Sequence, residues 1–269
     1  NVLERASARE TAARVAVGAV VRQLLVACGV QICGHTRSVG PVRIELGVPE
    51  DVPYGSVAER ATSNDLAVLD PRAYDRMVRE IDSARQAGDT LGGVVEVIVL
   101  GLPAGLGTHV HWDRRLDGRL GQALLSIPAV KGVEIGAAFE NATLRGSRVH
   151  DPVRRDADGH LRRTRNGAGG LEGGITNGEP LVVRAAMKPL STLMKPLETV
   201  DLHTGVAALA AVERSDVCAV PACGVVAEAM VAFVLADVWL EKFAGDTMDD
   251  VMAASERYAQ EVGRWSRSS

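Results

Sequence analysis

Apolar residues follow two different patterns along this chain. From about residue 7 to 27, and again from 217 to 236, they cover nearly every side of the predicted helix. Residues 71–87 instead carry their apolar side chains on one helical face, namely Tyr74, Met77, Val78 and Ile81. The first pattern is typical of helices enclosed by other elements, and the second of a helix that covers a core.

Strand patterns lie between these helices. They occur as alternation at Val42, Ile44 and Leu46, and as strand-like runs at 92–100, 132–136 and Leu181 to Met187. A short helix is predicted near 117–127, a polar loop rich in Arg and Gly over roughly 140–180, and a helix-rich final third that ends near Trp265.

The order of these elements shows no repeated strand-helix-strand unit, and no GxGxxG turn joins a strand to a helix. An α+β fold is therefore favoured, as a layered β-α-β sandwich with the two apolar helices in an inner layer between sheets. We expect residues 1–269 to form a single domain.

The two apolar helices also have similar starts. Glu4-Arg5-Ala6-Ser7 and Glu213-Arg214-Ser215-Asp216 align at an offset of 209 residues. This predicts an internal pseudo-repeat in which Ser7 and Asp216 cap equivalent helices. Arg5 and Arg214 would then lie at helix N-termini, where free N–H groups favour an anion.

The run 217–236 is also close to the length that spans a bilayer. Pro221, Glu228 and flanking charges of both signs favour a buried helix in a globular protein instead. The chain opens at Asn1 with neither Met nor a leader, so we expect a cytoplasmic location and a cut N-terminal end.

Charge and cysteine content narrow the function classes. The 30 Lys and Arg against 34 Asp and Glu give a net charge of -4, and aromatic residues make up 3%, so no general nucleic-acid binder is indicated. Cysteines occur as two spaced pairs in apolar surroundings, Cys28 with Cys33 and Cys218 with Cys223. Buried thiols are favoured over zinc or a disulfide.

Two local features could carry chemistry. Half of the residues in 167–178 are glycine, which suits either a ligand-binding loop whose backbone approaches a phosphate or a flexible surface loop. His109 and His111 could face one side of a strand, but nothing nearby completes a set of ligands, so no metal site is predicted.

Six motifs in order resemble chorismate synthase. They are Arg5-Ala6-Ser7-Ala8-Arg9-Glu10, Gly88-Asp89-Thr90-Leu91-Gly92-Gly93, Ala129-Val130-Lys131-Gly132-Val133-Glu134-Ile135-Gly136, the segment from Ala168 to Gly178, Lys188-Pro189-Leu190-Ser191-Thr192 and Arg214-Ser215-Asp216-Val217-Cys218. The resemblance implies a cytoplasmic lyase, usually a homotetramer, that converts 5-enolpyruvylshikimate 3-phosphate to chorismate and phosphate by a 1,4-elimination. It also implies reduced FMN as cofactor, without net redox change.

The same resemblance assigns roles to residues. Flavin contacts would be Arg5, Ala6, Ser7, Pro128, Ala129, Gly173, Lys188, Pro189, Leu190, Ser191, Thr192 and Arg214. Arg9 would bind the substrate, and Asp216 corresponds to the family's acid near flavin N5, where a carboxylate can take up a proton. The other interpretation of Asp216 is a helix cap, and both can hold together.

Departures from the family pattern affect the expected activity. The family's two histidine motifs, Gly-Glu-Ser-His-Gly and Arg-Pro-Gly-His-Ala-Asp, are both missing from the 269 residues, as is the family's N-terminal third. We expect the isolated chain to be inactive. A noncatalytic flavin- or phosphate-binding remnant, serving as a scaffold subunit, is the alternative.

Overall fold

The computed structural model describes residues 7–44, 53–157, 159, 161–212 and 215–268. The helices are α1 (Thr11–Ala27), α2 (Val57–Ala61), α3 (Pro71–Ala87), α4 (Leu116–Leu125), α5 (Ala138–Asn141), α6 (Gly146–Val149), α7 (Val220–Lys242) and α8 (Met248–Ser268). The strands are β1 (Gln31–Val39), β2 (Val42–Arg43), β3 (Gly93–Leu100), β4 (Val130–Ile135), β5 (Val153–Arg155), β6 (Leu161–Arg163), β7 (Leu171–Glu172), β8 (Ile175–Thr176), β9 (Leu181–Met187), β10 (Glu198–Val200) and β11 (Ala207–Leu209).

One antiparallel sheet organises the fold, with the strand order β2-β1-β3-β9-β4. Its register brings Val39, Gly93, Val130 and Met187 to one end, which we call the Gly93 end. Leu100 pairs with Gln31, and Leu181 pairs with Val99, at the opposite end, which we call the Leu100 end. Chain segments that leave or enter these four strands therefore meet at two separate places.

Helix α7 lies against this sheet and is the centre of the core. It packs on β1 and β3, with α4 beside it and α1 across it. Gly18 of α1 allows that crossing, since a Cβ there would lie 2.4 Å from the Cβ of Ala229. Most of α7 is buried, including Trp239 at 2% exposure. By length and composition α7 could cross a membrane, but its burial in the core matches the predicted enclosed helix.

Helix α1 is less covered than its sequence predicts. Only Gly18 and Leu25 of its residues are buried, whereas Val17, Val20 and Val26 are exposed. In the part of the chain that the structure describes, the sheet covers one face of the helical layer and the opposite face is open to solvent. The α+β class is confirmed.

Several predicted elements have their predicted bounds. Helix α3 and strand β9 match in full, while α1, α4, β3 and β4 agree within a few residues. Strand β1 was missed because polar residues interrupt its apolar pattern; His35 and Thr36 are nevertheless buried in it. Leu46 lies outside the described residues. The predicted loop over 140–180 contains the short helices α5 and α6 and the hairpins β5–β6 and β7–β8.

The predicted helix caps have different outcomes. Ser7 caps a 3-10 turn, Ala8–Glu10, that precedes α1, and its Oγ accepts a hydrogen bond from the N–H of Arg9 at 3.3 Å. The prediction of Asp216 as a cap is wrong, because α7 begins at Val220 with Ala219 at the N-cap position. Pro221 near the start of α7 supplies the fixed φ that suits a first helical turn.

All four cysteines are free thiols in the structure. Burial raises the pKa of Cys33 to about 12, with the Glu228 carboxylate acting in the same direction, and burial raises the pKa of Cys223 to about 11. These thiols therefore stay protonated at neutral pH, in agreement with the interpretation as buried residues.

Candidate active site

The Gly93 end joins the segment before β4 to the segment after β9. The N–H of Lys188 donates a hydrogen bond to the carbonyl oxygen of Ala129 at 2.9 Å. Ala129 has a φ of 68°, a left-handed conformation that is costly for a residue with a Cβ. Strained backbone of this kind is often found at functional sites. Here it forms a turn at Ala129, next to Lys188.

Thr90 and Leu91 hold the segment after β9 close to the loop before α7. The Thr90 hydroxyl donates to the carbonyl of Leu190 at 2.6 Å, and the Leu91 N–H donates to the carbonyl of Val217 at 2.7 Å. Gly92 follows them, and a Cβ on it would lie 2.3 Å from the carbonyl oxygen of Met187. The run from Lys188 to Thr192 and the loop that carries Asp216 are therefore neighbours.

The start of α1 reaches the same region through Arg14. Its guanidinium donates to the hydroxyl of Ser126 at 2.6 Å and to the Ser126 carbonyl at 3.2 Å. It also pairs with Glu10 at 2.9 Å. Ser126 lies two residues before Pro128, so Arg14 ties the turn that carries Ser7 and Arg9 to the segment before β4.

Several groups that can donate hydrogen bonds are exposed at this end. Lys188 and Lys131 are exposed cations, and Ser191 adds an exposed hydroxyl. Helix α7 starts here, because a Cβ on Gly93 would lie 3.0 Å from the Val220 side chain. Among the described residues, no side chain caps the N-terminus of α7, whose dipole favours negative charge. Ammonium, hydroxyl and helix N–H donors suit a phosphate group.

Asp216 occupies an exposed position in the loop just before α7. The hydroxyl of Ser215 donates to its backbone carbonyl at 3.2 Å, so that interaction leaves its carboxylate unused. Asp216 directly precedes Val217, and the carbonyl of Val217 accepts a hydrogen bond from the N–H of Leu91. Asp216 therefore belongs to a segment that is held at the Gly93 end.

Gly173 is not brought together with this group. It forms the turn of the β7–β8 hairpin with Gly174, and both have a positive φ, of 63° and 90°. The N–H of Leu116 donates to the Gly174 carbonyl at 3.1 Å, which ties the hairpin to the start of α4. The hairpin lies at the Leu100 end, about 20 Å from Lys188 at the usual rise of a seven-residue strand such as β9.

The rest of the glycine-rich segment is tightly packed backbone. A Cβ on Gly169 would lie 2.3 Å from the amide nitrogen of Gly136. The Asp151 carboxylate accepts hydrogen bonds from the N–H groups of Gly167 at 2.9 Å and Ala168 at 3.0 Å. Between Gly167 and Gly170 the segment is therefore neither a flexible surface loop nor an open cradle.

A row of acidic and basic side chains, not expected from the sequence patterns, crosses the middle of the sheet. His35, Glu96, Arg184 and Glu134 are directly opposed on β1, β3, β9 and β4. The His35 Nε2 lies 2.9 Å from Glu96, and Arg184 contacts Glu96 at 2.5 Å and Glu134 at 2.7 Å. Burial alone would raise the pKa of Glu96, but His35 and Arg184 outweigh it and hold that pKa at about 2. Glu96, a charged residue inside the predicted strand 92–100, was the signal in the sequence that could have revealed this row.

The remaining predicted residues can be placed briefly. Arg5, Ala6 and Arg214 lie outside the described residues. His109 and His111 occupy the segment before the 3-10 turn Trp112–Arg114. No group of three or more potential metal ligands occurs in the part of the chain that the structure describes.

Comparison with known proteins decides the family. The sequence profile described as chorismate synthase matches residues 1–240. The chain belongs to the chorismate synthase family. It is 53% identical over 264 residues to the chorismate synthase of Symbiobacterium thermophilum, covering 98% of this chain and 67% of that protein. It is 57% identical over 266 residues to that of Moorella thermoacetica, covering 97% of this chain and 68% of that protein.

A solved structure extends this agreement to the fold. A crystal structure of chorismate synthase superposes with a TM-score of 0.84 at 43% identity, covering 98% of this chain and 73% of that one. The chain thus spans about two thirds of the length of the curated chorismate synthases it matches. The motif resemblance is confirmed as family membership.

Proposed function

We propose that the Gly93 end is the flavin and phosphate site of a chorismate synthase, acting on 5-enolpyruvylshikimate 3-phosphate. The observation that supports this most strongly is the joining of three separate motifs at one place. Hydrogen bonds from Lys188, Thr90 and Leu91 unite the Ala129 segment, the Lys188 to Thr192 run and the Asp216 loop. No local sequence spacing would require these segments to meet.

The residues at this end fit FMN by their donor chemistry. A flavin phosphate needs cationic and hydroxyl donors, which Lys188, Ser191 and Thr192 supply beside the start of α7. Reduced FMN, when bound, supplies electron density that assists cleavage of the carbon–oxygen bond to phosphate, without net redox change. We assign Ser7, Pro128, Ala129, Pro189 and Leu190 to the same binding surface.

The residues of this chain would then divide the work of the 1,4-elimination. The reaction removes a phosphate and a proton from the substrate, so the site must hold an anion and exchange a proton. Arg9 would bind the substrate, since a guanidinium fork matches phosphate and carboxylate oxygens. Asp216 would take up and return the proton at the flavin, because this exposed residue lies beside the site in the loop before α7.

Gly173 needs a separate assignment. Its turn at the Leu100 end is open, because a Cβ on Gly173 would have no heavy atom within 4 Å among the described residues. Its predicted flavin contact therefore requires a ligand that extends along the length of β9, or one held against another copy of the chain. The homotetramer that the family resemblance implies would allow the second arrangement. A single-domain organisation and a cytoplasmic location are proposed on the same family grounds.

We further propose that these 269 residues alone have negligible activity. Neither histidine motif of the family is present in them, and loss of a positioned acid or base typically costs ~10²–10⁴ in rate. The alternative function is a noncatalytic flavin- or phosphate-binding subunit.

An anaerobic assay with dithionite-reduced FMN tests both ideas. The chain alone should release negligible phosphate from 5-enolpyruvylshikimate 3-phosphate. Co-expression with the N-terminal third of the Moorella thermoacetica relative should restore turnover, and an Asp216→Asn variant should abolish the restored activity. Turnover by the chain alone, near that of the complete relative, would contradict the proposal that these residues alone have negligible activity. A co-expressed complex that binds FMN but never turns over would favour the noncatalytic subunit.

A further inference from the structure

The guanidinium of Arg14 lies between helix α1, the turn that follows α4, and helix α7. Its Nε donates to one carboxylate oxygen of Glu10 at 2.9 Å, and its Nη2 lies 2.9 Å from the other oxygen. Nη1 donates to the hydroxyl of Ser126 at 2.6 Å and lies 3.9 Å from the sulfur of Met230. Nη2 also donates to the Ser126 carbonyl at 3.2 Å, so Arg14 joins three segments of the chain.

These contacts use the whole hydrogen-bonding capacity of the Arg14 side chain. A guanidinium has five N–H groups, and Arg14 makes five contacts, one through Nε and two through each terminal nitrogen. A guanidinium that binds phosphate needs unused donors along one edge. Arg14 therefore acts on the protein itself and does not bind a ligand.

On one side, Arg14 fixes the 3-10 turn that carries Arg9. Glu10 is the last residue of that turn and the N-cap residue of α1, and its side chain caps no helix N–H. Its carboxylate pairs instead with Arg14, one helical turn further on. The Thr11 hydroxyl adds a hydrogen bond of 2.6 Å to the carbonyl of Ala8. The turn is therefore held against the first residues of α1.

On the other side, Arg14 holds the segment that leads to Ala129. Ser126 is the C-cap residue of α4 and lies three residues before Ala129, whose φ of 68° is strained. A strained backbone keeps its conformation only where surrounding contacts hold it. Arg14 supplies two such contacts through the hydroxyl and the carbonyl of Ser126, and the Lys188 N–H supplies another at Ala129 itself.

We propose that Arg14 is a positioning residue for flavin binding, an inference that rests on the proposed flavin site at the Gly93 end. Its guanidinium holds the Ala129 turn at a fixed separation from the turn that carries Arg9, so that both are formed before a ligand arrives. A preformed site binds more tightly because the cost of ordering it is not charged against binding. Loss of Arg14 should weaken FMN binding without removing a ligand contact.

Titration of FMN fluorescence with the full chain tests this role. Arg14→Gln should raise the Kd for FMN about tenfold, because the strained turn would lose two of its contacts. Arg22→Gln is the matched control. Arg22 also lies on α1, pairs with the Glu228 carboxylate at 2.8 Å and donates to the carbonyl of Ile32, which lies toward the Leu100 end. It should destabilise the fold to a similar extent and leave the Kd within about twofold.

Substitutions of Ser126 test the contact from its other partner. Ser126 is exposed, so Ser126→Ala should fold as the parent does and raise the Kd for FMN about threefold. Ser126→Thr keeps the hydroxyl and should bind FMN with the parent's affinity. The double variant Arg14→Gln/Ser126→Ala should bind no more weakly than Arg14→Gln alone, because both substitutions remove the same interaction.

The outcomes separate the role of Arg14 from the flavin site itself. An Arg14→Gln variant, folded by circular dichroism, that keeps the parent's Kd would overturn the positioning role while the flavin site stands. An equal rise in Kd for Arg22→Gln would do the same. If Arg14→Gln does not fold, Ser126→Ala decides, and parental affinity in that variant would overturn the role. A parent chain that does not bind FMN would overturn both the flavin site and the inference.

Discussion

The two ends of the central sheet use similar residues for different purposes. At the Leu100 end, glycines bring backbone segments into close contact, and the buried Thr176 accepts a hydrogen bond from the Leu106 N–H at 2.9 Å. At the Gly93 end, a few hydrogen bonds hold exposed segments that carry Lys188 and Asp216. A glycine-rich run alone therefore does not locate a ligand. Cationic, hydroxyl and carboxylate side chains gathered by distant segments are the stronger sign.

The largest expected effect is a difference in stability between alanine variants of Gly169 and Gly173, two glycines of the same segment. Gly169→Ala should destabilise the fold by roughly 2–5 kcal/mol, because it combines a left-handed φ of 64° with a Cβ 2.3 Å from the Gly136 nitrogen. Gly173→Ala has the positive φ without the clash and should cost only about 1 kcal/mol. Urea unfolding of both variants measures the difference. Equal losses would show that the two turns do not differ in packing.

Acid should destabilise both ends of the sheet together, because the row formed by His35, Glu96, Arg184 and Glu134 lies midway between them. Glu96 has a lowered pKa, so the stabilisation that it provides is fully present above its usual pKa near 4.5 and is lost as the pH falls toward about 2. The loss should be on the order of 3 kcal/mol. Glu96→Gln should remove most of this pH dependence. Hydrogen exchange at pH 3 that opened one end long before the other would contradict a row shared by the whole sheet.

A smaller effect is expected at the stem of the β10–β11 hairpin, where Thr90 holds Leu190. Thr90→Val removes the hydroxyl that donates to Leu190 and should cost about 1 kcal/mol, whereas Thr90→Ser keeps the donor and should cost less. Faster proteolysis of residues 193–212 in the Val variant than in the Ser variant would locate the effect. Identical cleavage of the two variants would mean that the hydroxyl does not hold the stem.

Much of the fold could be predicted because its periodicity is strong. Helix α3 has a clear apolar face, an Asp70 cap and Gly88 after its last turn, and its predicted bounds match. Strand β1 could not be found in this way, since His35 is buried by pairing with Glu96, a residue 61 positions away. The burial of α7 was predicted from its uniform apolar pattern, but the same pattern in α1 did not reveal its exposed face.

The candidate site could be predicted only through the motif resemblance. Nothing in the spacing of Ala129, Lys188 and Asp216 indicates that they meet, because the sheet order that joins them depends on long-range strand pairing. For the same reason, the sequence does not show that Gly173, which matches a family motif, lies at the other end of β9. Its role as a flavin contact remains a prediction.

Flavin binding at the Gly93 end is tested most directly by a matched pair of lysine variants. Lys188→Ala removes a cation from that end, while Lys242→Ala removes one from the end of α7, near the Leu100 end. In titrations of flavin fluorescence, the parent chain should quench FMN. Lys188→Ala should raise the Kd by about tenfold or more, and Lys242→Ala should stay within about twofold because distant exposed charges are screened. Equal affinity of the two variants, or no quenching by the parent, would contradict a flavin site at the Gly93 end.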